Sequence, residues 1–200
     1  MGKRVVVGVV AAVVVVAAAM AFLLLRSAGS PAPAHMSAGE VKAVVAAFDP
    51  GRLDAVGELN RVAWQAGPDA VPALAPFIGD PDPNRRFAAL YVVARVARAQ
   101  TDLDVLATAL TDPVPAYRVI AAGSLAGKGE VRSLGVLVDA LDPGGPTLPY
   151  SDPPRPAADL AREALEAYTG EKFPDATSWK GWWGSVKDHV RWDGKRYVVR

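Results

Sequence analysis

One short pattern recurs four times between Val41 and Leu141, and it restricts the chain more than any other feature. Apolar residues fall at i, i+3, i+4 and i+7 in Val41, Val44, Val45 and Phe48, and again in Val71, Leu74, Ala75 and Ile78. The template returns in Leu103, Leu106, Ala107 and Leu110, then in Val131, Leu134, Gly135 and Val138, with glycine in the third place. Each set is the buried stripe of a helix. Shortly beyond each stripe stands an Asp-Pro pair, Asp49-Pro50, Asp80-Pro81, Asp112-Pro113 and Asp142-Pro143, at intervals of 31, 32 and 30 residues. A period of that length is the signature of a stacked array, in which each unit hides its apolar side against its neighbours.

Between one Asp-Pro and the next stripe there is room for a second helix. Phe87, Leu90, Tyr91 and Ala94 supply such a stripe in the second unit, and Tyr117, Ile120, Ala121 and Leu125 in the third. Each unit thus reads as a helical hairpin. At the Asp-Pro pair a short carboxylate can accept a neighbouring amide, and the proline ring blocks further helix, so the chain turns. Pro76, inside the second stripe, is expected to kink its helix. Ser37-Ala-Gly-Glu40 is a capping box that starts the first helix, and Thr101-Asp-Leu-Asp104 suggests a comparable start for the third unit.

The segments Phe77 to Leu90 and Ala109 to Ala122 resemble the short bacterial HEAT repeat, of the kind also found in phycobilisome-lyase-like proteins. The likeness rests on an apolar pair, an Asp, a gap, then an Arg shortly before paired alanines. Asp80 with Arg86 and Asp112 with Arg118 match it, 32 residues apart in both cases. It covers roughly residues 40 to 170. It implies an all-α superhelix, a HEAT-like solenoid of about four hairpins. It also implies that the matched charges form a ladder between successive turns; a partner-binding role for Arg86 or Arg118 is the alternative. It says almost nothing of activity, since arrays of this kind serve unrelated tasks.

Outside the array the chain carries distinct appendages. Val5 to Leu25 is 21 residues without a charge, preceded by Lys3 and Arg4. As a helix it would be roughly 31 Å long, near the thickness of a bilayer's hydrocarbon core. Residues 1–26 therefore read as a membrane anchor or a signal; Ala32-Pro33-Ala34 offers a cleavage site for the second case. Both place the repeat domain across the membrane, with the positive N-terminus in the cytoplasm. Residues 27–36 are a small-residue, proline-bearing tether, and 37–170 form the repeat domain.

Residues 142–156 hold six prolines in fifteen and read as an exposed, partly extended loop. It is either a tolerated insertion or a partner contact led by Leu148 and Tyr150. Residues 171–200 begin with Phe173 and the helix-spaced Trp179, Trp182 and Trp183. The runs Thr169 to Phe173 and Trp179 to Trp183 resemble an ending of bacterial HEAT-like proteins. The last unit of an array exposes its apolar face and needs a cap. The rings of Trp182, Trp183 and Trp192 serve either as that cap, and are buried, or as an aromatic platform for a sugar, a peptide or a membrane interface, and are exposed. The chain closes with a predicted hairpin turning at Asp193-Gly194. There Val190, Trp192, Tyr197 and Val199 share one face, Arg191 and Arg196 lie on the other, and the ribbon is expected to pack on the capping helix.

Composition narrows the chemistry. With no cysteine there is no disulfide, thiolate site or cysteine nucleophile. The two histidines, His35 and His189, lie far apart near the chain ends, and no phosphate loop, HExxH or GxSxG occurs. No catalytic residue, metal ligand, cofactor or small-molecule substrate is expected. Residues 27–170 carry 12 Lys and Arg against 17 Asp and Glu, which disfavours a nucleic-acid groove along the array. Arg95 and Arg98 read as solvated charges. The expectation is a non-catalytic, membrane-tethered module that binds or scaffolds a protein. The alternatives are a lyase-type enzyme accessory subunit and a cell-envelope glycan binder.

Overall fold

The computed structural model describes residues 35–151 and 153–200. The expected span Val5 to Leu25 and most of the expected tether lie outside these residues; among those described, no helix is long and apolar enough to cross a membrane. The described chain is mostly helical, with a two-stranded antiparallel ribbon at its C-terminal end. Its helices are α1 (Ala38–Ala46), α2 (Ala55–Gln65), α3 (Ala70–Ile78), α4 (Pro83–Val96), α5 (Gln100–Ala107) continued by a 3-10 turn (Thr108–Thr111), α6 (Pro115–Ala126), α7 (Arg132–Asp139), α8 (Ala157–Thr169) and α9 (Ala176–Val186). The strands are β1 (Val190–Trp192) and β2 (Tyr197–Val199).

Consecutive helices pair as α1/α2, α3/α4, α5/α6 and α7/α8. Across pairs, α2, α4, α6 and α8 pack one against the next, while α1 packs on α3 and α3 on α5. The predicted stripes face the core: Val41, Val45, Val71, Leu74, Leu106, Leu134 and Val138 are almost wholly buried. Two of the second helices, α4 and α6, are buried more fully than a single stripe implies. Helix α4 touches α1, α2, α3, α5 and α6, so Ala88, Ala89, Val92 and Val93 are as buried as Leu90. Small residues line its sides because neighbouring helices approach there closely.

The turns form as their chemistry demands. Asp49, Asp80 and Asp112 each accept the amide two residues on, from Gly51, Asp82 and Val114 at 2.9, 2.8 and 2.7 Å, bridging the intervening proline. Ser37 and Glu40 close their capping box reciprocally. Helix α3 runs through Pro76 to Ile78 without interruption.

Four local expectations need correction. Helix α5 begins at Gln100, with Thr101 inside it, because Asp102 reaches back to the amides of Arg98 and Ala99 at 2.9 and 3.0 Å. Met36 belongs to the fold rather than to the tether: its amide donates to the Gln65 carbonyl at 2.9 Å. The terminal ribbon turns over four residues, 193–196, so Trp192 pairs with Tyr197 and Val190 with Val199. The Asp193 carboxylate sets that turn by accepting the Lys195 and Arg196 amides, both at 2.8 Å. This register is two residues from the expected one, so the same side chains still share a face. Finally, the ribbon packs on α8, not on α9.

Candidate binding surfaces

The matched charges of the second and third units do meet across the turns. Arg86 donates from Nε and Nη2 to the Asp112 carboxylate at 2.9 and 3.4 Å, and from Nη1 to the carbonyls of Asp80 and Pro81 at 2.8 and 3.2 Å. Its side chain is 10% exposed and that of Asp112 3%. Arg86 is therefore committed to the fold. Arg118, half-buried, makes the corresponding bond to its own turn, from Nη1 to the Asp112 carbonyl at 2.7 Å. Its ladder ends there: Asp142, the carboxylate of the next Asp-Pro pair, bonds Lys180 of α9 instead, at 2.7 and 2.9 Å.

The proline-rich loop is a tongue with an ordered base and a pinned tip. Thr147 bridges to Pro156, the Leu148 amide donates to the Arg155 carbonyl at 2.7 Å, and the Ala157 amide to the Pro146 carbonyl at 2.8 Å. Leu148 is half-buried against the core. Tyr150, 38% exposed, folds back onto the second unit: its ring stands edge-on to Phe87 with centroids 4.7 Å apart, and its hydroxyl donates to Asn84 at 2.8 Å. Phe48 and Tyr117 extend this aromatic row on either side of Phe87, at 6.0 and 5.8 Å. Tyr117 donates to the Pro83 carbonyl, and burial pushes its phenol up to about 12. The loop is thus not free. Its tip holds a positive φ of 55°, a backbone cost that the ring contacts offset.

The C-terminal tryptophans sit against the array's end. Trp179 is completely buried, its ring edge-on to Phe173 at 4.9 Å, while Trp182, Trp183 and Trp192 are half-buried against the core. The two helix rows end on different elements: α9 covers α7, and β2 lies on α8. The odd glycine of the fourth stripe has its reason here, since a Cβ at Gly135 would stand 3.3 Å from Trp183 Nε1. Gly129, at φ +87°, leaves room for Trp192 in the same way.

One surface was missed from the sequence. Trp64 on α2 is 59% exposed and lines a groove of about 360 Å³ with Ala63, Pro68, Arg95 and Arg98. Arg95 lies over the Tyr91 ring, 4.7 Å from its centroid, and donates to the Tyr91 hydroxyl at 2.8 Å; that hydroxyl donates to Asn60 of α2. Arg98 closes the end of α4 through the carbonyls of Arg95 and Ala97 at 2.7 and 2.9 Å. One unit on, Lys128 bonds the Ala94 carbonyl and Ser124, and burial, then Arg98, holds its ammonium below its usual pKa. Arg95 and Arg98 are exposed, as expected, but they also hold hydrogen bonds near the carbonyl end of α4, and the half-buried Lys128 does so at that of α6, where the helix dipoles favour cations. The signal was present as recurrence: Asn60 and Tyr91 are 31 residues apart, one period, and Trp64 and Arg95 repeat that spacing. A net acidic count over the whole array concealed a basic edge.

Among the described residues no cluster of His, Asp or Glu is arranged to hold a metal ion. No family model, curated protein or solved structure matches this chain.

Proposed function

We propose that this chain is a HEAT-like solenoid that binds a protein partner without catalysing a reaction, held at a membrane by residues 1–26 with its array on the exported side. The observation that carries the reading is the Trp64–Arg95–Arg98 groove. It joins an exposed indole to two guanidinium groups held in place by hydrogen bonds, a combination suited to an acidic segment bearing an apolar anchor. The side-by-side packing of α2, α4, α6 and α8 supports it, because equivalent positions on successive helices then present a repeated surface. Tethering would raise the concentration of the module near membrane-bound partners.

A photo-crosslinking residue placed at Trp64, in the full chain expressed in its own membranes, tests this. The expected result is one dominant adduct that disappears in the Arg95→Glu/Arg98→Glu variant and is not formed from a crosslinker at Lys42 on the first row. Identical adducts from both positions, or none at all, would refute the assignment.

A further inference from the structure

The Asp-Pro turn inside the second unit and the one inside the third share a pattern but use their arginines differently. At the first, Arg86 gives Nη1 to its own turn and turns Nε and Nη2 on the carboxylate of the following Asp-Pro pair. At the second, Arg118 gives Nη1 to its own turn in the same manner. The carboxylate at the corresponding place in the series is Asp142, and it pairs with Lys180 instead. Among the described residues nothing accepts from Arg118 Nε or Nη2, and this side chain lines a groove of about 310 Å³.

The groove lies between the 3-10 turn, α6, α7 and the base of the tongue. Leu110, Val119, Val136 and Ala140 make much of its wall apolar, and Pro146 belongs to the tongue. Its charges are few: Asp139 stands exposed at the rim, and Asp142 is already neutralised by Lys180. Arg118 is therefore the one group in it with a planar pair of uncommitted donors, the geometry that receives a carboxylate through two parallel bonds. A half-buried setting strengthens such a pair relative to water.

We propose that the Arg118 groove receives a carboxylate adjoining an aliphatic side chain, supplied by the protein partner as a chain end or an acidic residue. The ligand takes the place that Asp112 fills in the preceding turn, and its apolar part lies on Val136 and Ala140. The nature of the ligand rests on the partner-binding reading above, but the site does not depend on the Trp64 groove.

The test uses the full chain in detergent micelles and three labelled probes: acetyl-Ala-Val-Leu with a free carboxylate, the same peptide as its C-terminal amide, and acetyl-Ala-Glu-Leu amide. Binding is followed by thermophoresis, and a thermal melt verifies the folding of each variant. The free acid is expected to bind at least about tenfold more tightly than the simple amide, the usual effect of losing a charge-assisted pair. Arg118→Gln should abolish the difference. Lys180→Ala, which releases Asp142 to fill the position, should weaken the free acid without altering any residue on Arg118's own turn. Equal binding of the glutamate peptide would support the site and assign an acidic side chain as the source. No saturable binding of either carboxylate probe at millimolar concentration, or binding indifferent to both variants, overturns the proposal. Crosslinking from Trp64 would be unaffected by that failure, so the two readings fall separately.

Discussion

The Arg86–Asp112 pair should be the most damaging single place to cut the array. Asp112 accepts three donors, Arg86 Nε, Arg86 Nη2 and the Val114 amide, with its side chain only 3% exposed. Asp112→Ala leaves a guanidinium shut away with carbonyl partners alone, and breaking a buried pair in this way costs about 3–5 kcal/mol. Loss of the turn acceptor adds about 1 kcal/mol. Asp112→Asn keeps an oxygen for Val114 and should cost about 2–3 kcal/mol, the charge-dependent share. Combining it with Arg86→Met removes both charges, and the double variant should recover about 1–2 kcal/mol relative to the summed singles. Urea unfolding by tryptophan fluorescence is the assay, because Trp64 lies before the cut and the other four tryptophans after it. In a stacked array neighbours hold only neighbours. Asp112→Ala should therefore separate the Trp64 transition from that of the cap, with a Trp64→Phe background isolating each signal. The exposed Arg155–Glu163 pair, at 38% and 67% exposure, is the control, and Arg155→Ala should cost no more than about 1 kcal/mol. If Asp112→Ala costs as little as that, the ladder is ornament and the junction is held by apolar packing alone.

Other outcomes follow from the same geometry. Among the described residues the buried Tyr197 hydroxyl has no partner at hydrogen-bond geometry, although Ser133 lies near it, and burial pushes its pKa up, so Tyr197→Phe should leave the melting temperature unchanged or raise it; a loss above about 1 kcal/mol would show that Ser133 bonds it. Gly129→Ala meets both a positive φ and a Cβ 2.6 Å from the Trp192 ring, whereas Gly144→Ala meets a positive φ in open space. The first should be the more destabilising by at least about 1 kcal/mol, measured as the difference between their unfolding free energies. Tyr150→Ala should lose about 1–2 kcal/mol and raise hydrogen exchange in the tongue and around Phe87 while sparing α9; protection unchanged at Phe87 would show that the tip does not hold. Three exposed carboxyls sit below their usual range: Glu40 through the Ser37 hydroxyl and amide, Asp175 through Ser178, and Asp193 through the Arg196 and Lys195 amides. With folded values below the unfolded ones, their stabilisation is complete above about pH 5 and is lost as pH falls through the folded values. Thermal melts from pH 7 to 3 should be flat and then decline, with a smaller decline in Ser37→Ala; a rise on acidification would contradict the sign.

The local rules that reach a few residues along the chain were legible. The stripes, the Asp-Pro turns and the Ser37 cap depend on near neighbours and on a period that counting reveals. What escaped depends on which helices become neighbours. Nothing near α4 in sequence says that it will touch five helices, so the burial of Ala88, Ala89, Val92 and Val93 went unread. The Tyr150 tip lands 66 residues away, on Asn84, and no spacing rule reaches so far. The Trp64 groove was hidden for a different reason: its parts lie on two polar helix faces, where a one-period spacing is present but does not by itself separate a solvated charge from a positioned one. The two-residue slip of the ribbon came from Asp193, whose carboxylate favoured a wider turn than Asp-Gly alone suggested.

The end of the ladder and the cap are two aspects of one arrangement. A helical array must stop, and here it stops by laying α9 along α7 and β2 along α8, so that each row receives its own cover. Helix α9 brings Lys180 to the last Asp-Pro turn, and Lys180 bonds the carboxylate that stands where Asp112 stands in the preceding turn. In the interior the same kind of arginine is consumed by the next unit; at the end it is left half-buried beside a groove. Capping therefore does more than hide apolar surface. Covering the final row also leaves a cationic group without its internal partner at a fixed place beside the tongue, which makes the junction of the third and fourth units the point where an external carboxylate can substitute for an internal one.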